Sequence, residues 1–423
     1  MYCWAGHWSG VSRRELLRNR GLLGLLARDV VSLTGSQMTW LALPWFVLTT
    51  TGSPARMGVV LAVESASLAV FGFLSGNVAA RLGPRRTMLI ADAVRVPLIA
   101  LVPLLHAVDA LSFPLLLVLV AAVTAVAVPS FASKTTIVPE LVGEDERVLT
   151  EANALLQAAQ RITLITGPPL AGALIAVIGA TNVLYVDAVT FVVAFVLVAL
   201  FIPRVGVVEQ DAESRSLIAG LRFLVRDRLL RPWTAAIVIG DVGWLVLFAA
   251  MPVLVLARFG EEPQLLGWIW GGWGVGAVLG AVIAFRIGAR FDRYLVASLG
   301  EVAMVAPLWF LLADVPSLTL IAAMTVSGLA NGLVNAPIHT IFLLRTPRAL
   351  RAKVWSVIIV LTSVLGPAAL GAAGPALEWA GFRPVLLVVV VVQTLAALAF
   401  AAAGLRERAL GGATATPALE EHG

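Results

Sequence analysis

The stretch GNVAARLGPRR, residues 76–86, separates two long apolar segments of the chain. It carries Arg81, Arg85 and Arg86 and no acidic residue. Its glycines, Gly76 and Gly83, permit a tight turn and a close approach of the flanking segments. Arginine-rich loops between apolar spans mark the cytoplasmic side of a membrane. The stretch therefore predicts two membrane helices that are joined on that side.

The composition is that of a membrane protein rather than a soluble one. Of the 423 residues, 60% are hydrophobic and 13% are charged, and the mean hydropathy is +0.95. Because a soluble domain carries about 25% charged residues, this chain cannot cover a globule of its size with polar surface. The net charge of +5 comes mainly from arginines between the apolar segments, so we expect no nucleic-acid partner. The single cysteine, Cys3, excludes an intrachain disulfide and a cysteine metal site.

Twelve apolar segments are long enough to cross a bilayer, which takes about 20 residues for each span. They are predicted at residues 22–49, 55–79, 86–106, 111–132, 153–178, 181–202, 231–257, 264–286, 293–313, 316–343, 353–378 and 383–405. The domains that follow are a cytoplasmic arm at 1–20, a six-helix bundle at 21–202, a linker at 203–230, a second bundle at 231–405 and a tail at 406–423. Within the linker, residues 216–228 place apolar side chains on one face and Arg222 and Arg226 on another, which predicts an amphipathic helix at the membrane interface.

The distribution of lysine and arginine predicts the orientation in the membrane. If both termini are cytoplasmic, the outer loops contain only Arg56, Arg258 and Arg383 of the 30 basic residues. Cytoplasmic loops carry the excess of basic residues in membrane proteins. We therefore expect both termini inside the cell and an even number of spans.

The two halves of the chain repeat each other. The fifth segment contains GPPLAG at residues 167–172, and the eleventh contains GPAALG at residues 366–371. The arginine-rich stretch is echoed after the eighth segment by Gly280, Arg286, Gly288 and Arg290. Two six-helix halves that are joined by a long cytoplasmic loop form a parallel repeat, an arrangement found in secondary transporters.

The stretch at 76–86 resembles the signature loop between helices 2 and 3 of the major facilitator superfamily, broadly Gly-x-x-x-Asp-Arg-x-Gly-Arg-Arg. The residues that match this pattern are Gly76, Arg81, Gly83 and Arg85. Ala80 stands at the acidic position and Pro84 at the first arginine of the closing pair. We expect Asp92, on the next segment, to supply the missing acid by pairing with Arg81 or Arg85. The resemblance implies an all-α membrane protein with twelve transmembrane helices in two six-helix pseudo-repeats.

Further stretches resemble the drug:proton antiporter group of this superfamily, which contains macrolide efflux proteins, multidrug pumps and enterobactin exporters. They lie at residues 127–142, 151–155 and 350–355. The motif of Gly167, Pro168 and Gly172 is similar to the antiporter mark of that group, although Ala173 stands where a second glycine is usual. A kink that serves packing alone is the alternative interpretation of this motif.

The resemblance implies a secondary transporter that exports hydrophobic or amphipathic drugs or antibiotics by proton antiport through alternating access. Its partners would be a small-molecule substrate, protons and the lipid of a bacterial cytoplasmic membrane, and it would act as a monomer without a cofactor or a metal. We expect no enzymatic activity, because the sequence has no Walker loop, zinc spacing or nucleophile elbow. Two alternatives are an exporter of one endogenous metabolite, such as a siderophore or an antibiotic, and a transport-inactive receptor or scaffold on the same fold.

Ionisable residues inside membrane spans cost about 2.5–3.5 kcal/mol each on insertion scales, so they indicate function. Glu64 in the second segment and Asp241 in the seventh are our candidates for proton coupling, since an isolated carboxylate could take up and release a proton there. For Glu64, a packing hydrogen bond is the alternative. Asp92 and Arg95 are three residues apart and are expected to pair with each other. We assign no role to Asp187 and Glu301, because the resemblance makes their segments peripheral.

A polar face on the tenth segment is the main indication of a substrate cavity. It consists of Ser327, Asn331, Asn335 and His339, each four residues after the last. Polar groups aligned in this way face protein or water rather than lipid. The resemblance implies a cavity lined by segments 1, 4, 7 and 10, and the further candidates on these segments are Gln37, Trp40 and Trp244. Arg161, on the polar face of the fifth segment, is another candidate. Aromatic rings beside sparse polar groups and an acid suit a bulky amphipathic or cationic ligand.

Overall fold

The computed structural model describes residue 16 and residues 18–204, 217–287 and 291–414. These residues form helices and no strand. The helices of the first half are α1 (Arg20–Thr51), α2 (Pro54–Leu82), α3 (Pro84–Ala107), α4 (Phe113–Val142), α5 (Glu146–Ile178) and α6 (Ala180–Phe201). The linker helix is α7 (Leu217–Arg226), and the second half contains α8 (Leu230–Phe259), α9 (Pro263–Ile287), α10 (Arg293–Val305), α11 (Ser317–Arg345), α12 (Arg351–Ala380) and α13 (Phe382–Thr414).

The prediction of twelve long apolar helices in two halves is confirmed. In the described part of the chain, eleven helices are long and apolar enough to cross a membrane. The twelfth is α1, which is less apolar because a polar run at residues 32–37 interrupts it. The same neighbours recur in both halves, since α3 packs on α4 and α6 while its counterpart α10 packs on α11 and α13.

The helices are longer than the apolar segments, and the connections between them are correspondingly short. Helix α4 continues to Val142, and α5 begins at Glu146, seven residues before the predicted start. Asp145 caps α5, because its carboxylate accepts from the backbone N–H groups of Arg147 (2.9 Å) and Val148 (3.2 Å). The apolar segment ends where the first polar residues appear, whereas the backbone hydrogen bonds of the helix continue as far as its capping residue.

The predicted loop at 76–86 is a helix break of one residue. Helix α2 runs through Gly76 and Arg81 to Leu82, and α3 begins at Pro84. Between them Gly83 has φ of 77°, a conformation that favours glycine. Pro84, which departs from the superfamily pattern, is well suited to the first position of a helix because that position needs no N–H donor.

The described chain divides into two compact units. The first comprises Met1–Phe46 and Val63–Ala212, and the second comprises Val47–Ala62 and Glu213–Gly423. Residues 47–62 belong to the second unit because the start of α2 packs closely on α12: a Cβ atom at Gly58 would lie 2.5 Å from Gly374 Cα. The predicted arm at 1–20 lies almost wholly outside the described residues. The predicted tail continues α13 as far as Thr414, and residues 415–423 lie outside them.

Glycines of α9 and α11 let these two helices pack with their backbones in contact. A Cβ atom at Gly276 would overlap the carbonyl oxygen of Thr325 and lie 2.8 Å from the Leu329 nitrogen, and Gly272 and Gly280 also face α11. We predict that Gly276→Val destabilises the second unit by about 1–3 kcal/mol or more through overpacking. Thermal unfolding in detergent measures this change. Gly72→Val is the control, because nothing lies within 4 Å of a Cβ atom there.

Candidate functional site

The second unit contains a cavity of about 400 Å³ between α8, α10, α11 and α12. Its polar and aromatic lining consists of Asp241, Trp244, Glu301, Asn331, Asn335, His339, Trp355, Thr362 and Ser363. Five of these residues were predicted from the sequence as coupling or cavity residues: Asp241, Trp244, Asn331, Asn335 and His339. The structure therefore brings these five residues of the second half together in one cavity.

Two carboxylates share this cavity. Asp241 projects from α8 and accepts a hydrogen bond from Thr362 Oγ1 of α12 at 3.2 Å. Glu301 projects from α10 and lies close enough to Asp241 for their charges to interact. No lysine or arginine is among the described residues that line the cavity. The site therefore has a negative charge that a proton or a cationic ligand can balance.

Aromatic rings form two walls of the cavity. Trp244 packs against Trp273, with ring centroids 5.8 Å apart. Two further lining residues, His339 and Trp355, stack on each other, with centroids 4.5 Å apart and an interplanar angle of 30°. Such rings, next to carboxylates, suit a planar or bulky organic cation.

The predicted polar face of α11 divides into two parts. Asn331, Asn335 and His339 line the cavity, and Asn335 Nδ2 donates to Asn331 Oδ1 at 3.1 Å. Ser327, predicted on the same face, is buried and donates instead to the backbone carbonyl of Met304 at 2.6 Å. Ser327 therefore faces protein, as the polar face predicted, but it does not line the cavity, because the neighbouring helix α10 covers that end of the face.

The first unit contains its own group of charged side chains, separate in the sequence from the two cavity carboxylates, which we name the N-half charge cluster. Its members are Arg28, Asp29, Glu64, Asp92, Arg95, Lys134 and Asp187. The first part of this cluster surrounds Arg28. Its guanidinium lies 2.7 Å from the carboxylate of Asp92 and 3.2 Å from that of Asp29, and its Nη2 donates to Ser130 Oγ at 3.0 Å. Lys134 Nζ lies 2.9 Å from Asp29. These ion pairs connect α1, α3 and α4 within the unit.

The expected partners of Asp92 are wrong. Asp92 pairs with Arg28 of α1 rather than with Arg81, Arg85 or Arg95. Arg85 instead donates to the carbonyl oxygens of Ile202 (2.6 Å) and Ala199 (2.9 Å) and so caps the end of α6. Arg81 and Arg86 are exposed. The missing acid of the signature loop is therefore not replaced by Asp92.

The other part of the cluster surrounds Arg95. Its guanidinium lies 3.7 Å from the centre of the Phe191 ring, and its charge interacts with those of Asp187 and Glu64. Asp187, to which we assigned no role, is fully buried and accepts from Thr39 Oγ1 (2.5 Å) and Thr190 Oγ1 (3.1 Å). No described residue donates a hydrogen bond to the Glu64 carboxylate.

The remaining candidates of the first half belong to the first unit. Gly167 is buried against Gln37, since a Cβ atom at Gly167 would lie 2.7 Å from Gln37 Cβ. Pro168 and Gly172 are buried as well, and α5 continues as one helix through this motif. Trp40 is partly buried and Arg161 is exposed. The motif therefore brings α5 into close contact with α1.

Comparison with known proteins identifies the family. A sequence profile described as Major Facilitator Superfamily matches residues 30–265, which is more than half of the chain. The chain belongs to this superfamily. It is therefore a multi-pass membrane protein of a transporter family, as the signature stretch predicted.

Similar proteins and solved structures cover most of the chain. It is 28% identical to the multidrug efflux pump Tap of Mycolicibacterium fortuitum over 86% of this chain and 91% of Tap. The Tap protein of Mycobacterium tuberculosis is 27% identical over 87% of this chain and 90% of Tap. Among structures, nucleoside transporter NupG (D323A mutant) has a TM-score of 0.74 and 15% identity over 90% of this chain and 99% of NupG. A bacterial homologue of the lysosomal transporter Spinster has a TM-score of 0.69 and 15% identity over 94% of this chain and 98% of its own.

The sequence reasoning missed or set aside several charged residues of these two groups. Arg28, Asp29 and Lys134 were not singled out from the sequence, yet all three are buried in the N-half charge cluster. Glu301 was set aside because the resemblance made its helix peripheral, yet it lines the cavity. The hydroxyl of Ser130, one helical turn before Lys134, was the available signal that this cation lies in a polar interior.

Proposed function

We propose that the protein exports amphipathic organic cations from a bacterial cytoplasm in exchange for protons. Both Tap relatives are known as multidrug efflux pumps, which supports efflux of more than one compound. Alternating access between two six-helix halves supplies the movement. The proposed topology places both termini, the arm at 1–20, the linker and the tail on the cytoplasmic side, and a monomer suffices for this cycle.

The observation that carries the proposal is the charge balance of the N-half charge cluster. Its cations are Arg28, Arg95 and Lys134, and its carboxylates are Asp29, Asp92, Asp187 and Glu64, so one carboxylate is in excess. Asp92 and Asp29 have ion pairs, and Asp187 has two hydroxyl donors. Among the described residues, Glu64 has neither an ion pair within 4.0 Å nor a hydrogen-bond donor. A proton on Glu64 therefore balances the cluster, and its release creates an uncompensated charge inside a membrane span.

The substrate site in this proposal is the cavity of the second unit. Asp241 and Glu301 attract a positively charged group, while Trp244 and the stacked pair of His339 and Trp355 contact its apolar body. The volume of about 400 Å³ lies within the usual range for drug-sized ligands. Binding through shape and charge rather than many fixed hydrogen bonds favours a broad substrate range.

The experiment that tests the function measures efflux from proteoliposomes with an imposed pH gradient. The probes are ethidium, other unrelated organic cations and a neutral dye such as Nile red. We expect several cations to be transported against their own concentration gradients only when the pH gradient is present. If no compound moves, the proposal of multidrug export fails, and the exporter of one endogenous metabolite becomes the better hypothesis.

Glu301→Gln tests the role of the second carboxylate. Charge-assisted contacts contribute roughly 1.5–3 kcal/mol, so the concentration of ethidium for half-maximal export should rise about tenfold or more. Export of the neutral dye, if any, should not change. Glu262→Gln is the control, because it removes an exposed carboxylate outside the cavity. An unchanged ethidium response of Glu301→Gln would contradict this role.

A further inference from the structure

We propose that α7 binds the anionic lipid of the cytoplasmic leaflet and that this contact controls the position of the cavity-lining helix α12. The proposal goes beyond the transport function, because it names a lipid partner that regulates the rate. It rests on the three faces that α7 presents.

The first face of α7 is fixed to the second unit. Gly220 is buried against the first turn of α12, where a Cβ atom at Gly220 would lie 2.7 Å from the carbonyl oxygen of Lys353. Leu224 is buried in the same core cluster as Trp233 and Val354. The helix therefore cannot move away from α12 without opening this core.

The second face is an exposed apolar stripe. Ile218, Leu221 and Val225 are 69%, 44% and 53% exposed. They lie three and four residues apart, so they share one side of the helix. An apolar stripe of this kind on a short helix between membrane spans suits the boundary between headgroups and acyl chains.

The third face carries positive charge next to that stripe. Arg222 and Arg226 are exposed and one turn apart, and neither has an ion pair with another described residue. Asp227, the neighbouring acid, is already engaged: its carboxylate accepts from the backbone N–H of Leu230 at 2.8 Å and lies 3.6 Å from Arg345. The arginines therefore remain available for phosphate groups, and anionic lipid adds attraction for each of them.

The connection to the cavity runs through α12. Lys353, which contacts α7, is two residues before Trp355, and Trp355 stacks on His339 in the cavity wall. Ile358, Ile359 and Thr362 of the same helix also line the cavity. When the leaflet holds α7, it also holds the cytoplasmic end of α12. We therefore expect the transport rate to depend on the anionic lipid content.

The lipid contact can be measured without transport. In the full chain with Cys3→Ser, Val225→Cys is labelled with the environment-sensitive fluorophore NBD and reconstituted into vesicles of phosphatidylcholine alone or mixed with phosphatidylglycerol. We expect a blue-shifted emission and protection from an aqueous quencher, both greater with phosphatidylglycerol and both reduced by Arg222→Gln/Arg226→Gln. Equal emission and quenching in the two lipids would overturn the proposal, whether or not the protein transports ethidium.

The regulatory part is tested by ethidium export in the same vesicles. Export by the wild type should rise with the phosphatidylglycerol fraction, and export by Arg222→Gln/Arg226→Gln should not. The matched control is Arg147→Gln/Arg406→Gln, which removes two exposed arginines elsewhere and should respond like the wild type. If the α7 variant responds to lipid as strongly as the control, the link to the cavity is overturned. If neither the wild type nor the variants export ethidium, the proposed transport function fails. The fluorescence measurement still tests the lipid contact, because it does not depend on transport.

Discussion

Glu64→Gln should abolish concentrative export that is driven by a pH gradient and leave the fold intact. Glutamine has the shape of glutamic acid but carries no exchangeable charge, so the N-half charge cluster stays in its balanced state. A transporter that cannot release this proton should still exchange substrate at equilibrium. The measurement compares gradient-driven ethidium export with ethidium exchange at equal pH in proteoliposomes.

Glu144→Gln is the matched control for this variant. Glu144 is an exposed carboxylate near the start of α5, outside the cluster, so its loss should change neither rate. A Glu64→Gln protein that concentrates ethidium as fast as the wild type, with the same response to the gradient, would remove Glu64 from the coupling path.

Asp92→Asn should cost about 3–5 kcal/mol of folding free energy, because it leaves a buried charge without its partner. Arg28 Nε and Nη2 donate to the two oxygens of Asp92 at 3.2 and 2.7 Å, and both residues are buried. After the substitution, Arg28 and Lys134 share only Asp29. Unfolding in detergent, followed by circular dichroism, measures the loss.

The double variant Arg28→Met/Asp92→Leu shows whether the penalty comes from the unpaired charge. Replacing a buried ion pair by apolar side chains is often nearly neutral, so the double variant should be more stable than Asp92→Asn. Asp314→Asn is a control for exposed pairs: it removes the charge of an exposed carboxylate that accepts from Arg258 and Arg383 and should have little effect. If Asp92→Asn and the wild type have the same unfolding transition in detergent, the ion pair does not stabilise the first unit.

The helices could be predicted from the sequence because a bilayer requires long apolar segments. Hydropathy located every span, and the arginine-rich break at Gly83 indicated the family that the profile match shows. The ends of the helices could not be predicted as well. Caps such as Asp145 and the positive φ at Gly83 determine them, and these depend on backbone geometry rather than apolarity.

The candidate site could be predicted only where one helix carries its residues in a regular pattern. The spacing of Asn331, Asn335 and His339 located the cavity face of α11. Glu301 reaches the same cavity from α10. The spacing of residues along one helix cannot predict which residue of another helix will face them. Likewise, the sequence offered Asp92 several arginines as possible partners. Its partner is Arg28 because α1 packs on α3, and the sequence does not show this packing.

The measurement that tests proton antiport most directly records internal pH while substrate moves. Proteoliposomes contain a pH-sensitive dye and begin without a pH gradient, and an outward ethidium gradient then drives efflux. The account predicts that internal pH falls as ethidium leaves through the wild type, and that it does not fall in Glu64→Gln. Ethidium efflux through the wild type without any change in internal pH would contradict proton antiport.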